Sequence, residues 1–158
     1  MRGGECVVID GITIFIKYAY RQSQTDLRDY KFYCFHGKPE YCQVISNRSK
    51  NETIDFYDMD WNHQDFTGLA LPHKPFSKYQ ISKPVTFERM KSAASALSAG
   101  LSFVRVDFYE VNGRMYFGEM TFYPASGFGE FEPSIWNKKL GDWIELPVEC
   151  HNRSMDRY

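Results

Sequence analysis

Hydrophobic and polar positions along the chain fall into two rhythms. Asp29 to Phe35 (DYKFYCF) reads as a strand, His36-Gly37-Lys38-Pro39 as a turn, and Tyr41 to Ile45 as a returning strand. Ser46 to Asn51 is polar and loop-like. Thr53 to Tyr57 forms a further short strand before the acidic-aromatic run Asp58-Met59-Asp60-Trp61. Beyond a loop carrying Pro72, Pro75 and Pro84 the period changes. Phe87, Met90, Ala94, Leu97 and Leu101 recur at spacings of 3 and 4, which predicts a helix over Thr86 to Ala99 with one apolar stripe facing a core. Thr86 is its N-cap, Glu88 suits the first turn, and Gly100 lies near its end. Phe103 to Glu110 and Arg114 to Tyr123, separated by Val111-Asn112-Gly113, give the strongest hairpin signal. Gly127 to Tyr158 carries Trp136 and Trp143 and is expected to cover the sheet or a helix end, with the last eight residues frayed. Sheet plus packed helix is an α+β arrangement.

Composition narrows the function classes. With 158 residues, one domain is the expectation. An aromatic content of 17% favours pleated, half-buried surfaces and so a sheet-rich domain. Nineteen Lys and Arg against 20 Asp and Glu leave no basic excess, which argues against a nucleic-acid partner. No apolar run approaches the length of a membrane span, since the best stretch, Cys6 to Ile16, is broken by Asp10, Gly11 and Thr13. Met1 to Gly4 lacks the features of a secretory leader. The four cysteines, Cys6, Cys34, Cys42 and Cys150, have neither zinc-site nor disulfide-scaffold spacing. Reduced thiols in a cytoplasmic protein are expected.

The hairpin carries the chemistry. Alternation puts Arg105 and Asp107 on one face of its first strand, and Glu119 and Thr121 on one face of its second. A two-residue Asn112-Gly113 turn would place Glu119 on the far side from Asp107. A three-residue Val111-Asn112-Gly113 loop pairs Glu110 with Arg114 and Arg105 with Glu119, leaving Asp107 a diagonal neighbour of Glu119; this is the expected connection. Two carboxylates that close need a cation between them. A hard, oxygen-seeking ion such as Mg²⁺ meets that need, and Arg105 would hold a phosphate oxygen or a developing negative charge. On spacing alone, an exposed Arg105–Glu119 ion pair is the more ordinary arrangement.

The longer string changes that balance. DYKFYCF-x-GKP, FYDMDW, KP-x-TF-x-x-M, RVDFY and YFGEMTFYPASGFG occur in order from about Asp29 to Leu146. Together they resemble the TupA-like ATP-grasp family, linked to teichuronopeptide and other cell-surface polysaccharide pathways. The resemblance implies the carboxy-terminal lobe of an ATP-grasp fold. It implies Mg²⁺ or Mn²⁺ at Asp107, Glu119 and Thr121, with Arg105 and Lys31 on ATP phosphates or the acyl phosphate. Thr121 stands where most ATP-grasp enzymes have Asn, and a hydroxyl is a poorer ligand than an amide carbonyl. Lys31 shares a face with Asp29 and Tyr33, as a phosphate ligand or an exposed strand lysine. Arg48 is a weaker candidate, a loop cation within reach of substrate. His36 and His63 read as turn and loop residues, and Trp61 and Trp136 as packing.

The activity implied is Mg·ATP-dependent joining of a carboxylate and an amine, both small molecules and one of them sugar-linked. The expected organisation is a short segment over 1–28, the lobe over 29–147 and a tail over 148–158. Arg2 to Ile9 faintly resembles a Gly-rich loop and its strand, yet no Gly-rich loop with a following Lys is present. A chain of this kind reads as the carboxy-terminal half of a ligase, needing an upstream lobe or partner chain for full activity. The alternatives are a non-catalytic nucleotide- or metal-binding module and a glycosyltransferase-associated protein.

Overall fold

A computed structural model describes residues 7–9, 12–14, 27–48, 50–69 and 73–145. The Gly-rich resemblance at Arg2 to Cys6, the 148–158 tail, Cys6 and Cys150 lie outside the described residues. Nine strands are described: β1 (Val7–Ile9), β2 (Ile12–Ile14), β3 (Asp29–Phe35), β4 (Lys38–Ser46), β5 (Thr53–Asp58), β6 (Thr67–Gly68), β7 (Phe103–Val111), β8 (Arg114–Thr121) and β9 (Phe131–Glu132). Two α-helices accompany them, α1 (Phe87–Ser98) and α2 (Ile135–Gly141). The main sheet runs β1-β2-β8-β7-β3-β4-β5, and β6 pairs with β9 apart from it. Strands β8-β7-β3-β4-β5 are antiparallel throughout, while β2 lies parallel to β8 through Ile14 and Phe117. The α+β expectation holds.

Alternation along β3 decides what each sheet face becomes. Tyr30, Phe32 and Cys34 point one way, with Cys42 and Val44 of β4 and Val104, Val106 and Phe108 of β7, and pack under Phe87, Met90 and Ala94 of α1. The apolar stripe read from the sequence is therefore the helix's buried side. Cys34 and Cys42 are buried free thiols in this layer, and burial pushes the Cys34 thiol up to about 12. Thr86 does stand before the helix, but its hydroxyl makes no cap. It donates instead to Glu110 Oε2 of β7 at 2.6 Å, tying the helix start to the hairpin. On the other face Tyr33, Phe35, Tyr41 and Phe56 pack against Phe66, Trp136 and Leu140. Trp61 and Trp136 are core residues, stacked on Tyr57 and Phe66 at centroid distances of 4.3 and 4.0 Å.

The β7–β8 connection differs from the expected one. The loop has two residues, not three: Val111 pairs with Arg114, and Asn112 and Gly113 turn the chain with φ of 52° and 70°. Two successive positive φ values are those of the tight hairpin turn whose twist matches the strands. That turn alone would put Asp107 and Glu119 on opposite faces. A bulge restores them. Phe108 pairs with Phe117, but Val106 pairs with Met120, so β8 carries one extra residue in between. Arg105 consequently sits opposite Thr121 and not Glu119. Beyond the bulge register moves by two residues relative to the three-residue loop, which leaves Glu119 and Thr121 on their expected face; between turn and bulge it moves by one, so Phe117 pairs with Phe108 and packs in the layer under α1.

Gly118 lies inside the bulge, where a Cβ would stand 3.0 Å from Tyr109 Cε2 and 3.1 Å from the Asp107 carbonyl oxygen. A branched side chain there has to press on both. Gly118→Val is expected to cost about 1–3 kcal/mol, read as a lower urea midpoint at unchanged slope. An unchanged midpoint would show that the bulge has slack.

Candidate functional site

The bulge gathers four side chains on one patch of sheet. Arg105 reaches along its own strand to Asp107, Nε donating to Oδ1 and Nη2 to Oδ2, each at 2.8 Å. The same Nη2 donates to Thr121 Oγ1 at 3.1 Å and to Glu119 Oε1 at 3.2 Å. Thr121 in turn donates to Glu119 at 3.3 Å. All three expected metal ligands therefore converge on a single nitrogen. Burial works against the Arg105 charge, but the hydrogen bonds and charge of Asp107 outweigh it and raise the guanidinium's pKa.

Strand β3 supplies the other half. Antiparallel pairing sets Lys31 opposite Asp107, and Lys31 Nζ contacts Asp107 Oδ2 directly. Lys31 Nζ also lies 3.5 Å from Asp29 Oδ2, which pairs with Arg48 Nη2 at 2.5 Å. The result is three cations and three carboxylates alternating across the face. Asp107 is 1% exposed, whereas the Glu119 side chain is 64% exposed and open to solvent. Burial raises the pKa of Asp29, and Lys31 and Arg48 offset part of that rise. Burial likewise pushes the Tyr109 phenol up to about 12, with Asp29 adding to the effect.

Each expected site residue can now be placed. Arg105, Asp107, Glu119 and Thr121 form one cluster, and Lys31 joins it as a buried partner of Asp107, not as an exposed strand lysine. Arg48 reaches the cluster through Asp29. His36 and His63 stand elsewhere, His36 Nε2 at 3.0 Å from the Trp143 carbonyl oxygen and His63 Nε2 at 2.9 Å from Asp55 Oδ1. Sequence reasoning passed over Asp29, although its alternation with Lys31 in DYKFYCF put it on the right face. It also passed over Gln43, which pairs with Lys31 across β3–β4, accepts from the Tyr33 hydroxyl at 3.2 Å and donates to the Gly68 carbonyl oxygen.

Beside Arg105 and Thr121 the chain turns sharply. Pro124–Gly127 forms a short 3-10 turn in which Ala125, Ser126 and Gly127 all have positive φ, at 49°, 57° and 78°. Two consecutive non-glycine residues in this region are strained, and such strain clusters at functional sites. The turn walls a cavity of about 560 Å³ that is also lined by Tyr33, Phe103, Phe131 and Leu140. Charge and an apolar pocket thus share one face.

The family model for TupA-like ATPgrasp matches residues 8–145. The chain belongs to the TupA-like ATP-grasp family. The match begins ahead of Asp29 and takes in β2 and all of β1 but Val7, so more of the chain fits the family than the motifs alone suggested. No curated protein and no solved structure matches it. The α+β sheet with its packed helix is that of an ATP-grasp lobe, and no helix among the described residues is long and apolar enough to cross a membrane.

Among the described residues, no three His, Cys, Asp or Glu side chains gather as a metal cluster. Two carboxylates and a hydroxyl gather instead around Arg105 Nη2. That all-oxygen donor set is of the kind Mg²⁺ takes, so the chemistry fits; the position is held by the guanidinium, with which an ion has to compete.

Lys31 lies between two buried carboxylates. Without it Asp29 and Asp107 remain buried beside each other. Lys31→Met is expected to lower stability by roughly 3–5 kcal/mol, measured by chemical denaturation near neutral pH. A cost under about 1 kcal/mol would mean that Arg48 and Arg105 neutralise both carboxylates unaided.

Proposed function

We propose that the chain acts as an ATP-dependent carboxylate–amine ligase, working in the cytoplasm on small molecules of which one is sugar-linked. The observation that carries this reading is the convergence of Asp107, Glu119 and Thr121 on Arg105, in a chain of the ATP-grasp family. A carboxylate oxygen of the acceptor attacks the γ-phosphorus of ATP, the bond to the ADP oxygen breaks, and an acyl phosphate forms. The amine then attacks the acyl carbon, phosphate leaves, and the ammonium proton passes to solvent. Arg105 and Lys31 hold phosphate oxygens and keep the reacting groups in line, which is the larger part of phosphoryl-transfer catalysis. Asp107, Glu119 and Thr121 would hold Mg²⁺, which supplies charge neutralisation on the transferring group. The acceptor has room in the pocket beside Tyr33 and Phe103, within reach of Arg105.

A second reading has one observation in its favour. Both Asp107 oxygens are engaged by Arg105, and Oδ2 is also contacted by Lys31, as a non-catalytic lobe would have them. Metal affinity separates the two. With Mn²⁺ alone, followed by electron paramagnetic resonance, Arg105→Ala is expected to tighten binding about tenfold, because a competing charge-assisted hydrogen-bond donor is gone. With Mg·ATP, followed by calorimetry, parent binding is expected to be weak, and Asp107→Asn should weaken it further by about tenfold. Equal Mg·ATP affinity in parent and Asp107→Asn removes Asp107 from the site. ADP release that survives Glu119→Gln argues against the ligase reading.

A further inference from the structure

Tyr33 belongs to two neighbourhoods at once. It lines the cavity of about 560 Å³, and it pairs with Arg105 across β3 and β7. Burial raises the pKa of the Tyr33 phenol and the Arg105 charge offsets part of that rise, so phenol and guanidinium are neighbours. Phe103, two residues before Arg105 on β7, shares its face and lines the same cavity. The bonds of Arg105 to Asp107, Glu119 and Thr121 use Nε and Nη2, and Nη1 is in none of them. A guanidinium edge outside the cluster's own bonds thus adjoins the cavity.

The cavity wall says what else the ligand carries. Tyr33, Phe35, Phe103 and Phe131 form one aromatic array, with ring centroids 5.1 Å apart for Phe35–Phe103, 6.2 Å for Tyr33–Phe103 and 6.3 Å for Tyr33–Phe131. Polar atoms around these rings are spent within the protein. The Tyr33 hydroxyl donates to Gln43, Leu69 N–H to the Glu130 carbonyl oxygen, Phe128 N–H to the Ala125 carbonyl oxygen, and Phe131 N–H to Asn137 Oδ1. A polyol seated there would bury hydroxyls without partners, which is costly. An aromatic ring extends the array instead, and the volume suits a small molecule. The exposed Glu130 side chain, at the same cavity, repels an anion and leaves Arg105 as the place for one. We infer that the acceptor carboxylate of the ligase carries an aromatic group, with its ring in this cavity and its carboxylate on Arg105, so that the sugar-linked substrate is the amine. The roles of acceptor and amine rest on the ligase reading; the binding of ring and carboxylate is measured without nucleotide.

Calorimetry on the whole chain, without ATP, tests it with three probes: 3-phenylpropionate, its neutral amide 3-phenylpropionamide, and glucuronate. 3-Phenylpropionate should bind, the amide should bind about tenfold more weakly, and glucuronate should give no heat. Phe128 lines the cavity and is 87% exposed, so Phe128→Ala should melt with the parent while affinity for both phenyl probes falls about fivefold. Arg105→Ala should lose the preference for acid over amide. No heat with 3-phenylpropionate at millimolar concentration would overturn the inference. So would full affinity in Phe128→Ala, which would take the ring out of this cavity. Equal affinity of the parent for acid and amide, or a preference that survives Arg105→Ala, would take the carboxylate off Arg105. Glucuronate binding as tightly as 3-phenylpropionate would overturn the inference and leave the ligase reading standing, with the sugar on the acceptor. ADP release that survives Glu119→Gln would overturn the roles of acceptor and amine and leave the binding of ring and carboxylate standing.

Discussion

The contact between Lys31 and Asp107 sits where the two central strands of the sheet meet, and the charged face is organised around it. Neither group tolerates burial alone, because a charge taken out of water needs a close counter-charge and hydrogen bonds. Asp107 obtains both from Lys31 and from the fork of Arg105. Lys31 in turn lies between Asp107 and Asp29, and Asp29 draws in Arg48. Each charge is thus neutralised by the next, out to Glu119 and Arg48 at the solvent margin. A slip of β3 against β7 by one residue would turn Lys31 towards the aromatic layer under α1 and strand Asp107. The pair therefore fixes register as well as charge.

That constraint explains why the hairpin needs both of its irregularities. Asn112-Gly113 gives the tightest turn with the right twist, yet it sends Glu119 to the wrong face. One extra residue at Gly118 corrects the parity without lengthening the loop. The bulge also brings Thr121, not Glu119, directly opposite Arg105, so hydroxyl and carboxylate reach one guanidinium nitrogen from alternate positions on the strand. Beside this patch the same face becomes aromatic at Tyr33 and Phe103. The apolar layer keeps water from one flank of the charges, which strengthens interactions within the cluster.

Much of this was legible beforehand, for reasons specific to each element. The helix announced itself because Phe87, Met90, Ala94 and Leu97 keep a strict helical period. The strands β3, β7 and β8 showed because aromatic and β-branched residues dominate them. Arg105, Asp107, Glu119 and Thr121 were placed on one face correctly, although by a loop that does not exist. Loop length and bulge both shift register, and their effects on facing cancel; a linear pattern sees only the parity. The burial of Lys31 was beyond reach, since it depends on β3 lying against β7 across more than seventy residues of chain. The role of Thr86 was misread for a similar reason. A hydroxyl at a helix start usually caps that helix, but Glu110, brought near by the sheet, is the stronger acceptor.

The edge of the sheet at Ser46, Asn47 and Arg48 has a geometric meaning. Ser46 is buried on the side of the sheet that carries α1, Asn47 turns with a φ of 55°, and Arg48 reaches Asp29 on the other side. The left-handed turn at Asn47 is what lets a single strand end place a buried hydroxyl on one side of the sheet and the guanidinium that neutralises Asp29 on the other.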